Sequence, residues 1–129
     1  MVTLESSRGE PLGLAYANPE SLIAARLLTR NPRESIGPRF LRQRIERALS
    51  LRERIYEKPH YRLIYGESDG LPGLVVDRFG DLLVVQSNTA GMDRLEGALI
   101  DALKEVLNPK AVVIRNTSSL RALEGLSER

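Results

Sequence analysis

Two valine-rich runs, Leu74–Asp77 (LVVD) and Leu82–Gln86 (LLVVQ), are separated only by Arg78-Phe79-Gly80-Asp81. β-Branched residues bounded by turn formers read as strands. Four residues containing a glycine at positive φ fit a short hairpin between them. The sequence after the hairpin narrows the fold further. Asp93–Leu107 sets Leu95, Ala98, Leu99, Ala102, Leu103 and Val106 on one stripe at helical spacing. Asn108-Pro109 stops that helix, and Ala111–Arg115 (AVVIR) reads as a buried strand. With Tyr61–Tyr65 (YRLIY) as a further strand, the order predicts an α+β fold: a small mixed sheet of β-β-α-β type packed by one amphipathic helix. If the strands flanking the helix are parallel neighbours, the crossover is expected to be right-handed.

Upstream, Leu12–Ala17 (LGLAYA) reads as a strand and Asn18-Pro19 as a turn, while Leu22–Leu28 fits helix or strand. A two-stranded ribbon is marginal alone in water, so residues 1–30 are expected to be a short β-ribbon remnant leaning on the rest. Residues 31–58 are a linker and a long connecting helix. Pro38 suits a first helical position, and Pro59 stops the run after about Glu57. Leu41, Ile45, Ala48, Leu49, Ile55 and Tyr56 share one face of it, and Arg39, Arg42, Arg47 and Arg54 another. Arg44 and Arg52 fall on or beside the apolar arc, so they must snorkel, pair or meet a ligand. Residues 59–129 form the α+β unit.

Charge is unevenly spread. Residues 26–54 hold nine arginines against three glutamates in a chain whose net charge is only +2. Arginine without lysine suits bidentate contacts to phosphate or carboxylate; a solvated helix face is the plain alternative. The chain has no cysteine and one histidine, His60. A disulfide framework, a thiolate nucleophile and a multi-histidine metal centre are thereby excluded within it. No apolar signal core opens it and no run reaches the ~18 residues of a membrane span. A cytoplasmic protein with no membrane partner is the expectation.

The stretch Gly66–Asp81 (GESDGLPGLVVDRFGD) carries four glycines and four acids. A phosphate cradle would lead into a helix with Lys-Ser/Thr after the glycines, whereas here a strand follows. Acid–base chemistry by Glu67, Asp69 or Asp77 would need buried carboxylates. Asp69-Gly70 and Pro72-Gly73 are turn dipeptides, and turns are the preferred reading. His60, Ser118 and Ser119 have no acid at a spacing that would make a catalytic triad; Ser118 could cap a last short helix at Ser119–Glu124.

GESDGLPGLVVDRFGDLLVVQ resembles the central-domain signature of class I S-adenosylmethionine-dependent large-subunit ribosomal RNA methyltransferases, the cytosine-5 enzymes with an N-terminal PUA domain. Leu12–Arg30 is similar to the last strands of that PUA domain, Pro38–Ile55 to its connecting helix, and Ala111–Leu126 to the stretch before the catalytic domain. The resemblance implies a middle portion of such an enzyme. The methyl-donor site and the nucleophilic cysteine would then lie outside it, no catalytic residue or metal is carried over, and S-adenosylmethionine is expected for the parent only.

It further implies a non-catalytic part that positions ribosomal RNA. Arg39, Arg42, Arg47, Arg54, Arg78 and Arg115 are the candidate RNA contacts. With few aromatic residues, backbone and shape recognition is expected over base reading. Two alternatives stand beside this. One is a structural or homodimerisation module that buries a sheet edge or the face of Leu41, Ile45 and Leu49. The other is a stand-alone enzyme built on Glu67, Asp69 or Asp77.

Overall fold

The computed structural model describes residues 1–116 and 120–126, so Ser118 and Ser119 lie outside the described residues. The first sheet is antiparallel and three-stranded: β1 (Val2–Glu5), β2 (Pro11–Ala17) and β3 (Ala25–Thr29), in that order. The expected ribbon therefore gains an edge strand. The ambiguous Leu22–Leu28 run resolves into a loop followed by strand, pairing from Ala25 onward.

The second sheet comprises β4 (His60–Tyr65), β5 (Leu74–Phe79), β6 (Leu82–Ser87) and β7 (Ala111–Ile114), side by side in that order. β4, β5 and β6 are antiparallel neighbours, and β7 runs parallel to β6 from Leu82↔Ala111 to Val85↔Ile114. Phe79 pairs with Leu82, which leaves Gly80-Asp81 as a two-residue hairpin loop. Gly80 takes φ +62° while Asp81 stays at negative φ, a combination that suits the strands' twist and needs glycine first. The Gly80 N–H donates to the Pro59 carbonyl at 2.7 Å.

Between the sheets in sequence lies α1 (Pro38–Ile55), and β6 is joined to β7 by α2 (Ala90–Leu107). Along β6, Leu83, Val85 and Ser87 are buried and Leu82, Val84 and Gln86 half-buried, the period of two that one covered face demands. A bulge in β4 between Arg62 and Ile64 lets two consecutive residues, Leu63 and Ile64, both be buried. The covering layer contains both helices. Leu41, Ile45 and Ala48 of α1 meet Leu99, Ala102 and Leu103 of α2 over Leu63, Val76, Leu83 and Val85 in one core. The connecting helix thus belongs to the core, and its Leu41–Ile45–Leu49 face is occupied within the chain rather than open to a second copy. Ile55 and Tyr56, expected on the apolar face, are exposed; Tyr56 stacks on Tyr61 at 5.4 Å.

α2 begins at Ala90, earlier than the expected Asp93, because Thr89 caps it: the Thr89 hydroxyl oxygen accepts the Met92 N–H at 3.3 Å, and Met92 is buried in the core. The same hydroxyl joins the two sheets. Tyr16, from β2, is buried with its hydroxyl 2.6 Å from the Pro72 carbonyl and 2.7 Å from Thr89 Oγ1. The carbonyl can only accept, so the Tyr16 proton goes to Pro72 and Thr89 donates to Tyr16. Burial pushes the Tyr16 phenol up to about 12. The Tyr16 ring lies directly against Gly91, where a Cβ would enter it.

Beyond β7, Asn116 is fully buried. It accepts the Ser87 N–H at 2.9 Å and donates to Glu96 at 3.0 Å. Arg121, in the short helix α3 (Leu120–Leu123), is also buried and donates to the Ser87 carbonyl and to Asp93. Among the described residues, no helix is long and apolar enough to cross a membrane.

Candidate nucleic-acid interface

Arginine is the chain's dominant cation, and the fold sorts its arginines by whether a partner is already in reach. On α1, Arg39, Arg47 and Arg54 are exposed and form no ion pair among the described residues. At 100° per residue they fall within an arc of about 80°, along roughly 22 Å of helix. Arg42, beside them, is half-buried. Its Nη1 lies 2.9 Å from Glu105 of α2 and its Nε 4.0 Å from Glu46, so one of the expected contacts is already matched to carboxylates.

Arg78 and Arg115 do not join this row. Arg78, on β5 next to the hairpin, donates to the Tyr61 hydroxyl at 2.7 Å and the Gly80 carbonyl at 3.1 Å. Arg115 is exposed just past the end of β7, with its backbone N–H on the Val85 carbonyl at 2.8 Å. The six candidates therefore form one helix-borne cluster and two separate sheet positions. Arg30 and Arg33, which the helical pattern could not rank because they precede α1, are exposed and without an ion pair among the described residues.

The two arginines on the apolar arc of α1 both found partners. Arg52 grips Asp69 through both nitrogens, at 2.5 and 2.8 Å, and donates to the Arg62 carbonyl at 3.1 Å. Arg44 donates to the Leu28 carbonyl at 3.1 Å and stacks over the Phe40 ring at 4.7 Å. Burial pulls the Arg44 guanidinium below its ordinary value, and the neighbouring Arg47 charge adds to that.

The acids of the glycine-rich stretch are distributed in the same way. Gly66–Asp69 is a single 3₁₀ turn closed by Gly70 at φ +72°. Asp69 also accepts the Tyr65 N–H at 2.7 Å. Asp77 pairs with Arg62 at 2.8 Å and Glu67 with Arg26 at 2.8 Å; the bond to Asp77 raises the Arg62 guanidinium above its ordinary value. Three carboxylates held by three different arginines do not converge on a reacting atom. Among the described residues no group of three or more His, Asp or Glu is placed to hold a metal ion. His60 is exposed at the start of β4.

One feature lay outside the reach of sequence reasoning. The loop before β3, the end of β4 with the 3₁₀ turn, the start of β5, the turn from β6 into α2, and α3 line an open cavity of about 640 Å³. Its lining comes from five separate parts of the chain, and includes the exposed Leu22, Ile23, Tyr65 and Leu123.

A PUA-like domain family model matches residues 1–30. Curated proteins named Ribosomal RNA large subunit methyltransferase I, from Escherichia coli O157:H7 (strain EC4115 / EHEC) and Shigella flexneri serotype 5b (strain 8401), are 38% identical over 128 residues. The match covers 97% of this chain and 32% of each relative. The chain thus spans about a third of the length of the curated relatives it matches. Among solved structures, a Streptococcus mutans protein assigned as a SAM-dependent methyltransferase superposes with a TM-score of 0.77 at 18% identity, over 88% of this chain and 31% of that one. SMU.776, likewise assigned as a methyltransferase and solved with SAH, gives 0.77 at 19% over the same shares. At these identities the likeness to the solved structures is one of fold.

Proposed function

We propose that this chain is an RNA-positioning portion of an S-adenosylmethionine-dependent ribosomal RNA methyltransferase, whose parent methylates cytosine C5 in large-subunit RNA. The observation that carries the reading is the 38% identity, sustained over 97% of the chain, to proteins named as large-subunit ribosomal RNA methyltransferases. The exposed arginines of α1 supply the physical part. A row of exposed guanidiniums, without ion pairs among the described residues, on a helix packed into the core holds phosphates at fixed spacing without spending contacts on base edges. Arg39, Arg47 and Arg54 are the principal contacts. Arg42 contributes once released from Glu105, and Arg78 and Arg115 are outlying ones. In this reading residues 1–30 are PUA-like strands, 31–58 the linker and connecting helix, and 59–129 the central unit.

Among the described residues, the turn from β6 into α2 does not fit the methyl donor. In a dinucleotide-type cradle a glycine loop leads from a strand into a helix. The turn from β6 into α2 is instead Asn88-Thr89, and Gly91 beyond it is filled by the Tyr16 ring. We assign the donor, and the chemistry it supplies, to residues outside this chain. The test is a titration of the chain with ribosomal RNA segments at several salt concentrations. A log affinity falling with log salt by about 0.7–0.9 per phosphate neutralised supports the reading. Salt-independent binding, or none, overturns it. A dimer by light scattering whose RNA affinity ignores Arg47→Glu would favour the homodimerisation module instead.

A further inference from the structure

The four-stranded sheet is covered on one side only. Leu74 and Val76 of β5 and Leu83 and Val85 of β6 turn toward the two helices and are buried. The alternate residues make the other face. There Phe79 pairs with His60 and Leu82, Asp77 with Arg62 and Val84, and Val113 lies beyond Val84 on the edge strand. Phe79 is 54% exposed, Tyr65 56% and Val113 46%. The loop before β3 and α3 reach this face only at its Tyr65–Val75 end, where the cavity opens. Two accessible rings therefore stand on an open sheet. The face is also cationic. Asp77 is the only acid in β4–β7, and Arg62 holds it at 2.8 Å. The Arg62 guanidinium in turn lies 5.4 Å from the Tyr65 ring centroid. Arg115 keeps its N–H on the Val85 carbonyl and follows Val113 by two, which sets it on the same face.

We propose that this open face binds single-stranded RNA, with one base stacked on Phe79 and another on the Tyr65 ring and Arg62 guanidinium. Bases stack on aromatic rings and guanidinium planes alike, and a sheet face presents both in one plane. Tyr65 pairs with Val75, which precedes Phe79 on β5, so the two platforms stand ~13 Å apart along the strands. Arg115 supplies a cation for the phosphates of the same strand. A dry protein layer on this face would desolvate the Arg62–Asp77 pair, whose side chains are 46% and 21% exposed, a cost that a solvated single strand avoids. The proposal rests on the RNA-positioning reading above for the nature of its ligand. It adds a base-stacking surface on the side of the sheet opposite α1 and its row of arginines.

The experiment uses the 129-residue chain and follows the fluorescence anisotropy of a labelled single-stranded RNA oligonucleotide and of its duplex. Phe79→Ala is expected to weaken single-strand binding about tenfold, while Phe79→Tyr, which keeps a ring, holds it. Neither should move the salt slope, because no phosphate contact is lost, and duplex affinity should stand. Val113→Glu and Val113→Lys, at an exposed edge position, keep the test open if Phe79→Ala does not fold. The added carboxylate is expected to weaken the single strand severalfold, and the added ammonium to hold or tighten it. RNA binding that persists with Phe79→Ala and Val113→Glu both unmoved overturns the open face alone. Equal losses with Val113→Glu and Val113→Lys overturn it too, and so does self-association of the chain that either variant abolishes, since both mark a surface covered by protein. Absence of any RNA binding removes the reading beneath it.

Discussion

The Tyr16 hydroxyl sits 2.7 Å from Thr89 Oγ1, although 73 residues separate them in the chain. That one contact links the three-stranded sheet to the helix cap of the four-stranded unit. Tyr16→Phe keeps the ring and removes the proton that Pro72 accepts. Leaving that buried carbonyl unpaired is expected to cost about 1–3 kcal/mol in a denaturant titration. The folded pKa, about 12, lies above the ordinary 10.0, so the fold favours the protonated phenol. Its stabilisation is complete below pH 10 and is lost as pH rises toward 12. The stability gap between the parent chain and Tyr16→Phe should therefore narrow across that interval.

Gly91→Ala attacks the same joint by volume. The new methyl meets the Tyr16 ring, and the ring is fixed by its hydroxyl. Overpacking of this kind is expected to lower stability by about 1–3 kcal/mol. Gly97→Ala, at a position on α2 with open space around it, is the matched control and should be neutral or slightly stabilising in the same melt.

Arg52→Met removes a bidentate partner from Asp69, whose side chain is 6% exposed. A carboxylate left buried and unmatched is expected to cost on the order of 3–5 kcal/mol. Asp69 also holds the Tyr65 N–H, so hydrogen exchange at Tyr65 should accelerate with it. If the amide stays protected and the melting point is unchanged, the pair is dispensable.

Arg47→Ala and Arg42→Ala should differ in RNA binding although both lie on α1. Arg47 is without an ion pair among the described residues, while Arg42 is paired with Glu105 at 2.9 Å. Removing Arg47 is expected to reduce the salt slope by about 0.7–0.9, and removing Arg42 to reduce it less. Equal losses would mean that the Glu105 pair does not compete with phosphate.

Much of this was legible in advance, and the parts that were not share a cause. The hairpin at Gly80-Asp81, the stripe of α2 and the β-β-α-β order rest on spacings within a few residues, and they are present in the structure. α2 starts three residues before the helix expected from Asp93, because Thr89 caps it and its first turn carries Met92, which extends the buried stripe. Val2–Glu5 gave no strand signal of its own: it is an exposed edge whose pairing with β2 supplies the order. The candidate interface divides similarly. That α1 would carry an arginine face followed from periodicity, but which arginines stay available depended on carboxylates arriving from elsewhere, Asp69 at Arg52 and Glu105 at Arg42.

Local order in this chain is written in its amino acids, because backbone geometry couples residues one, two or four places apart and the apolar pattern records which face turns inward. The joining of the two sheets through Tyr16, the sorting of arginines into matched and unmatched, and the cavity framed by Leu22, Tyr65, Asn88 and Leu123 arise only on folding. Each depends on side chains that meet across tens of residues, and a hydrogen bond or a shared wall exists only when both sides are in place.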